Sequence, residues 1–276
     1  MMHDLSAAYP VWFCDVWGVV HDGLAPNPAT VSGLARHRAN GGMVVLLTNS
    51  PRSAAGVARQ LDEIGVPRSA WDGIVTSGDV TRSLMLAVPG GRLHHIGPQR
   101  DLSLFAGLAV TRVPLAQASA VVCTGLFHDD RETPDDYAGT LTAMRARDLT
   151  MICANPDLVV RRGPHLIPCA GGIAQAYAER GGRVEMAGKP FAPIYDLALR
   201  EAARLRGTAV VKAQVLAIGD GPDTDVKGAA DQGLPVVLVA DGVTDASAGL
   251  DAVAAAVAAR QPHARILRTV HDLAWD

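Results

Sequence analysis

Short apolar runs alternate with longer segments of helical period along this chain. Short runs of apolar residues favour buried strands, whereas apolar residues spaced three and four apart favour amphipathic helices. The pattern predicts strands over residues 11–14, 43–47, 73–76, 93–96, 120–123, 151–153, 184–187, 215–218 and 236–239. It predicts helices over residues 30–40, 53–64, 135–147, 172–180, 192–206 and 248–260. This alternation indicates an α/β fold, in which helices connect the strands of a mostly parallel sheet.

No long segment rich in proline, serine or glycine divides the chain into domains. At 276 residues, the length suits one large or two medium domains. The segments with the strongest chemical character lie towards both ends of the chain. We therefore expect residues 1–77 and 188–276 to form one core domain, with residues 78–187 inserted into it as a second domain.

Composition restricts the class of protein. Hydrophobic residues make up 49% of the chain and charged residues 19%, which suits a folded domain with a sizeable core. The net charge is −3 and the cations are scattered, so nucleic acid is not an expected partner. No apolar stretch approaches the length of a membrane span, and no signal-peptide pattern is present. We expect a cytoplasmic protein that does not bind membranes.

The four cysteines, Cys14, Cys123, Cys153 and Cys169, lie far apart and include no CxxC pair. Three of them fall in or beside apolar runs. This spacing favours reduced thiols in the core over a disulfide framework or a zinc site.

A single carboxylate follows the first predicted strand, in the segment FCDVWGVVHDG at residues 13–23. Asp15 would lie at the carboxyl end of that strand, the edge where open α/β sheets bind their ligands. Gly18 and Gly23 permit a tight excursion of the backbone immediately afterwards.

Three further segments carry residues suited to phosphate chemistry. In LLTNS, Thr48 and Asn49 can hydrogen-bond a phosphoryl oxygen without adding negative charge. In GKP, Lys189 can offset the repulsion between a nucleophilic carboxylate and an anionic phosphate. In IGDGPDTDV, Asp220 follows another strand, and Asp15 and Asp220 together suffice as protein ligands for Mg²⁺.

The order of these four segments resembles the class IIA haloacid dehalogenase (HAD) hydrolases, the group of NagD-like sugar and nucleotide phosphatases. The segments ANPD at residues 154–157 and PCAGG at residues 168–172 are also similar to that family's pattern. The resemblance implies a doubly wound, Rossmann-like parallel-sheet core with an inserted α/β cap domain of the C2 type. It also implies a Mg²⁺ cofactor, a small phosphorylated metabolite of the sugar phosphate or nucleotide class as substrate, an aspartyl-phosphate intermediate and a homodimer.

The same resemblance implies roles for individual residues. Asp15 would be both the nucleophile and a metal ligand, and the backbone carbonyl of Trp17 would be another ligand. Asp220 would bind Mg²⁺, while Asp225 would support the waters of the metal. Other predicted residues contact the phosphoryl group or the substrate: Thr48, Asn49, Asn155 and Lys189, the last of which would also orient Asp15.

Trp17 departs from the family pattern, which has an aspartate here that protonates the leaving group. An indole cannot supply that proton. His21 is one candidate for a replacement acid, and the alternative is a histidine packed in the loop after the nucleophile. Asp22 is another candidate acid, although before Gly23 it more naturally forms a turn. Three functions therefore stay open: a Mg²⁺-dependent phosphatase, a catalytically weak protein that binds a phosphorylated ligand, and a dehalogenase-type hydrolase.

His94 and His95 lie at the end of another predicted strand, where they could reach a pocket of the inserted domain. Adjacent side chains on a strand point to opposite faces. The sequence therefore argues against a joint metal site at these two histidines.

Overall fold

The computed structural model describes residues 2–162, 165–240, 247 and 249–275. The chain divides into two compact units. The first consists of Met1–Thr48, Gly56–Val75 and Lys189–Asp276, and the second, inserted unit consists of Asn49–Ala55 and Thr76–Gly188.

The described strands, numbered in chain order, are β1 Val11–Cys14, β2 Met43–Thr48, β3 Gly73–Thr76, β4 Arg92–Ile96, β5 Thr111–Arg112, β6 Ala120–Cys123, β7 Thr150–Cys153, β8 Val159–Arg162, β9 His165–Pro168, β10 Arg183–Met186, β11 Val215–Gly219, β12 Pro235–Val239 and β13 Arg265–Val270. The described α-helices are α1 Met2–Ala8, α2 Pro28–Ala39, α3 Ala54–Ile64, α4 Ser77–Ala87, α5 Ala138–Ala146, α6 Ala170–Glu179, α7 Ala192–Arg206, α8 Lys227–Asp231 and α9 Leu250–Arg260. A π-helical turn, Pro222–Val226, precedes α8.

The first unit is built on a parallel sheet with the strand order β13-β12-β11-β1-β2-β3. Every residue of β1, β11 and β12 is buried, as expected for central strands covered on both faces. Phe13 in β1 is in register with Ala217 in β11 and with Val45 in β2. The carboxyl ends of these three strands therefore lie at one edge of the sheet.

The inserted unit has its own parallel sheet, with the strand order β10-β7-β6-β4-β5, and a separate antiparallel pair, β8-β9. Alternate residues of β6 pack on opposite faces of this sheet. Val121 and Cys123 join a cluster with residues of α5 and α6, whereas Val122 joins a cluster that includes Met85 of α4 and Leu104. The unit thus has apolar cores on both faces of one sheet.

The predicted fold class, a doubly wound parallel-sheet core with an inserted α/β domain, is confirmed. The sequence did not predict four strands, β5, β8, β9 and β13, or three helices, α1, α4 and α8. The predicted helix over residues 248–260 is observed from Leu250, and Ala248 lies outside the described residues. Residues 49–55 group with the inserted unit, although the sequence placed them in the core.

The four cysteines are free thiols buried in the structure, as predicted. In the part of the chain that the structure describes, no helix combines the length and the apolar character that a bilayer crossing requires.

Candidate active site

The candidate site of the first unit is formed at the carboxyl ends of β1, β2 and β11. The backbone N–H of Asp15 donates to the carbonyl of Ile218 at 2.8 Å, which places Asp15 beside the end of β11. Asp220 directly follows β11, and Thr48 is the last residue of β2. Asp15, Thr48 and Asp220 are all buried, although their side chains are polar.

Lys189 joins two carboxylates in this site. Its Nζ lies 2.5 Å from Oδ1 of Asp15 and 2.7 Å from Oδ1 of Asp225. Burial alone would lower the pKa of Lys189, but the negative charges of Asp15 and Asp225 outweigh it and hold this pKa well above its usual value. Lys189 is therefore a permanent cation that fixes the orientation of Asp15.

The position of Asp225 depends on the glycines that follow and end β11. Its Oδ2 accepts the backbone N–H of Gly221 at 3.1 Å. A Cβ atom added to Gly219 would lie 2.1 Å from Cγ of Asp225, so a larger residue there would displace this carboxylate. Glycine at the end of β11 is thus required for the close approach of Asp225 to the strand end.

The donor set fits a hard divalent cation. Carboxylate oxygens of Asp15, Asp220 and Asp225 all lie within 4.8 Å of one another. Lys189 pairs with two of these three buried carboxylates, Asp15 and Asp225. An excess of negative charge is costly in a buried site. Mg²⁺ prefers oxygen ligands and commonly binds one or two carboxylates together with water and substrate phosphate.

Two family models match this chain. A model described as haloacid dehalogenase-like hydrolase matches residues 12–111, and one described as HAD-hydrolase-like matches residues 186–273. The chain is 31% identical over 252 residues to the D-glycerol 3-phosphate phosphatase of Mycobacterium tuberculosis, which covers 89% of this chain and 67% of that protein. The chain belongs to the haloacid dehalogenase-like hydrolase family. The match to class IIA of the family, predicted from the four motifs, is confirmed.

Solved structures agree with this assignment. A haloacid dehalogenase-like hydrolase from Brucella suis 1330 is 46% identical, with a TM-score of 0.88 over 98% of this chain and 97% of that chain. The glycerol phosphate phosphatase of M. tuberculosis, solved with magnesium, is 27% identical, with a TM-score of 0.72 over 98% of this chain and 76% of that chain. The chain is thus a HAD-family hydrolase of the group that contains phosphatases.

Trp17, at the position where the sequence analysis expected an aspartate, packs within the loop that follows Asp15. It is half-buried, and its ring lies 4.9 Å from the ring of His21 in an edge-on contact. A Cβ atom on Gly23 would lie 2.3 Å from the indole, so the glycine makes room for the tryptophan. The two residues therefore fit each other in the loop of this HAD-like hydrolase.

The contacts of His21 favour its interpretation as a packed residue. Its Nδ1 accepts the backbone N–H of Gly23 at 2.9 Å, and the side chain is buried. Burial lowers the pKa of His21 to about 4, since the charged imidazolium would lose its hydration. At neutral pH this histidine carries no proton on Nδ1 and is a poor general acid.

Asp22 also has a structural explanation. Its Oδ1 accepts the backbone N–H groups of Leu24 and Ala25, both at 2.8 Å, which is the pattern of an Asx turn. These hydrogen bonds lower the pKa of Asp22, so it stays ionised at neutral pH.

Two other predicted residues, Asn49 and Asn155, group with the inserted unit. Nδ2 of Asn49 donates to Oδ1 of Asp157 at 2.9 Å, and Oδ1 of Asn155 accepts the backbone N–H of Asp157 at 3.0 Å. A Cβ atom on Gly188 would lie 2.3 Å from Oδ1 of Asn49, which explains the glycine before Lys189. Their role in binding substrate stays a prediction.

The sequence did not reveal the ion pair between Lys189 and Asp225. The family pattern suggested Asp225 as a residue that supports the metal, and no local spacing connects it to a lysine 36 positions earlier in the chain. The structure gives Asp225 a direct partner in the same cation that contacts Asp15.

Proposed function

We propose that this HAD-family hydrolase is a Mg²⁺-dependent phosphatase that acts on a small phosphorylated metabolite of the sugar phosphate or nucleotide class. The observation that carries the proposal is the buried Asp15 carboxylate, held 2.5 Å from Lys189 and grouped with Asp220 and Asp225. A fixed carboxylate beside a cation is suited to attack an anionic phosphorus centre.

In this proposal, an oxygen of Asp15 attacks phosphorus, the P–O bond to the leaving group breaks, and an aspartyl-phosphate forms. Water then attacks the aspartyl-phosphate, which releases inorganic phosphate and regenerates the Asp15 carboxylate. Lys189 orients the nucleophile and offsets the charge of the incoming phosphate, and Thr48 donates a hydrogen bond to a phosphoryl oxygen. Asp15, Asp220, Asp225 and the backbone carbonyl of Trp17 would hold Mg²⁺ directly or through water. When bound, the metal would neutralise negative charge on the phosphoryl group.

The described part of the site has no evident residue to protonate the leaving group. Trp17 has no acidic proton, His21 is neutral with Nδ1 engaged by Gly23, and Asp22 is held as an ionised turn residue. General acid catalysis typically contributes about 10²- to 10⁴-fold to a rate. We therefore expect slow turnover of alkyl esters, which include sugar phosphates and nucleotides. Aryl and acyl phosphates should react faster in an assay, because their leaving groups need no proton.

Trp17 also supports a second candidate function, a catalytically weak protein that binds a phosphorylated ligand. The residues proposed to bind metal and phosphate are all present, and the position of the usual proton donor alone is changed. Such a protein would retain affinity for phosphate esters but would release phosphate slowly.

A panel of phosphate compounds distinguishes the two candidates. It should include glycerol 3-phosphate, a hexose phosphate, adenosine monophosphate, p-nitrophenyl phosphate and acetyl phosphate, each assayed with Mg²⁺ and with EDTA. Phosphate release that requires Mg²⁺ and is lost in Asp15→Asn supports the phosphatase. Binding measured by calorimetry without release supports the second candidate, and the absence of both contradicts the two proposals.

A further inference from the structure

The inserted unit contains a cavity of about 490 Å³ at the carboxyl end of β4. This volume lies within the range of small-molecule sites in proteins. The cavity lies wholly within the inserted unit. The side chains that line it and bear on its chemistry are His94, His95, Gln99, Arg112, Val113 and Phe127.

Both histidines of the cavity are held by hydrogen bonds. Nδ1 of His94 donates to the carbonyl of Val113 at 3.1 Å, and Nε2 of His95 lies 2.9 Å from Oγ1 of Thr124. Thr124 is itself hydrogen-bonded to the buried Asp101. When the carboxylate of Asp101 accepts the hydroxyl proton, Nε2–H of His95 donates to the same hydroxyl oxygen.

Nε2 of His94 and Nδ1 of His95 take no part in these two hydrogen bonds. Burial, with the positive charge of Arg112, lowers the pKa of His95 to about 4, so its imidazole is neutral at physiological pH. A Cβ atom on Gly97 would lie 2.0 Å from Oγ1 of Thr124, so this arrangement depends on the glycine after β4. Two imidazoles of fixed orientation are pre-organised polar groups, which reduces the entropic cost of binding.

The cavity is cationic. Arg112 lines it, and no aspartate or glutamate does. Throughout the described residues, no carboxylate forms an ion pair with Arg112, whose guanidinium instead lies 5.9 Å from the ring of Phe105. The ring of His95 contacts the same phenylalanine at 5.3 Å. A guanidinium beside an aromatic ring, with no carboxylate in the lining of the cavity, is well suited to bind carboxylate or phosphate.

Phe127 gives the cavity a flat apolar surface. This side chain is 46% exposed, which is unusual for phenylalanine, and its ring is stacked on Tyr137 at 5.8 Å. The hydroxyl group of Tyr137 accepts the backbone N–H of Phe127 at 2.7 Å and so fixes this segment. A rigid exposed ring can stack with a planar group of a ligand.

We propose that this cavity binds a small anion that carries a planar unsaturated ring, with the anionic group at Arg112 and the ring against Phe127. Aromatic carboxylates and mononucleotides share this chemistry. The proposal is independent of hydrolysis by the first unit, because it rests on the side chains of the inserted unit alone.

Calorimetric titration of the full chain in EDTA tests the proposal. Two complete probes carry both a ring and a charge: adenosine monophosphate has a phosphate, and indole-3-acetate has a carboxylate. The fragments are adenosine, which has a ring alone, and inorganic phosphate and acetate, which have the charge alone. We expect at least one ring-bearing anion to bind at least about 10-fold more tightly than its fragments, because charge-assisted hydrogen bonds and stacking both contribute.

Variants locate the binding. Arg112→Gln should weaken the tightest probe by about 10-fold or more, and Phe127→Ala by about 5-fold or more. The matched control is Arg92→Gln. Arg92 lies at the start of β4, where its Nε donates to the carbonyl of Gln117 at 3.0 Å. This control should retain the parent affinity.

The proposal would be overturned by any of these results: no ring-bearing anion binding below about 1 mM, an affinity unchanged by Arg112→Gln, or an equal loss in Arg92→Gln. Equal binding of the fragments and the complete probes would also overturn it. Because turnover is not measured, failure here leaves the phosphatase proposal intact, and failure of the phosphatase assay leaves this one intact.

Discussion

The carboxyl edges of the two parallel sheets share an architecture and differ in charge. In the first unit, three carboxylates, Asp15, Asp220 and Asp225, meet at the strand ends with Lys189. In the inserted unit, the cavity at the end of β4 has imidazole and guanidinium groups and no carboxylate. Parallel topology brings residues that are distant in the chain to one edge. The side chains at that edge, and not the fold, then determine which ligand is bound.

This difference predicts what each edge can do. The acidic edge is suited to a metal ion and to nucleophilic attack, because it offers buried oxygen ligands and a fixed carboxylate. The cavity at the end of β4, which forms the cationic edge, is lined by no carboxylate among the described residues. It is suited to bind an anion without reaction.

The largest effect is expected from Asp15→Asn. If Asp15 is the nucleophile, this substitution should reduce kcat for an aryl phosphate by about 10⁴-fold or more, since an amide cannot form the covalent intermediate. The measurement is Mg²⁺-dependent phosphate release at saturating substrate. Asp223→Asn is the matched control, because Asp223 lies in the same loop as Asp220 but is exposed and pairs with Arg260. Substantial turnover by Asp15→Asn would show that the acidic edge does not work as proposed.

The second prediction concerns the cation of the acidic edge. Lys189→Met leaves Asp15 and Asp225 buried without their partner, which should lower the free energy of unfolding by about 3–5 kcal/mol. Addition of Mg²⁺ should recover part of this loss, because a metal ion can replace the missing positive charge. Urea denaturation with and without Mg²⁺ measures both effects.

Lys227→Met is the control for that experiment. Lys227 pairs with Asp231 on the surface of α8, where such a pair contributes only about 0.3–0.5 kcal/mol. A similar loss of stability in the two variants would contradict the role assigned to Lys189.

Much of this fold could be predicted because the strands that form the sheets are apolar runs with clear ends. The predicted bounds of β1, β3 and β6 and of helix α7 agree with the structure residue for residue. Helix α4 was missed because it begins with Ser-Gly-Asp, which is typical of a turn. Its start is fixed by Thr76, whose Oγ1 accepts the backbone N–H of Asp79 at 2.9 Å. Strand β13 was missed because charged residues interrupt its apolar positions.

The candidate site could be predicted only as far as its motifs reach. The placement of Asp15, Thr48 and Asp220 at strand ends follows from local pattern, and the structure brings Asp15 and Asp220 together. The shared contact of Lys189 with Asp225 depends on how distant loops pack, which no local pattern contains. The sequence indicated that His94 and His95 could reach a pocket of the inserted unit, and both line the cavity at the end of β4. That Arg112 and Phe127 join them there follows from no local pattern, because they lie on other segments of the chain.

The third prediction tests whether the acidic edge lacks a proton donor. Trp17→Asp should raise turnover of glycerol 3-phosphate by about 10²-fold, whereas p-nitrophenyl phosphate should gain much less, because its leaving group needs no proton. Trp17→Asn is the matched control, since it loses the same packing against His21 and Gly23 but supplies no acid. Equal gains for the two substrates, or an equal gain in Trp17→Asn, would show that proton donation was not the missing function.

The smallest effect compares the histidines of the two edges. Burial lowers the pKa of His21 in the first unit and of His95 in the inserted unit to about 4, whereas an unfolded histidine titrates near 6.5. Their contribution to stability is therefore complete above about pH 6.5. It is lost as the pH falls towards 4, since the unfolded chain takes up protons first.

Between pH 6.5 and pH 5, each of these two histidines should account for a loss of about 1–2 kcal/mol in the free energy of unfolding. His21→Gln and His95→Gln should each reduce the pH dependence by about that amount, as measured by urea denaturation. Above pH 7 the free energy of unfolding should change with pH in the same way in the variants and in the parent protein, because a neutral histidine exchanges no proton there. In His95→Gln alone, the pH dependence of the free energy of unfolding below pH 6.5 could stay as steep as in the parent protein. That result would show that the His95 imidazole is more hydrated than its contacts with Thr124 and Phe105 imply. The two edges would then differ in burial as well as in charge.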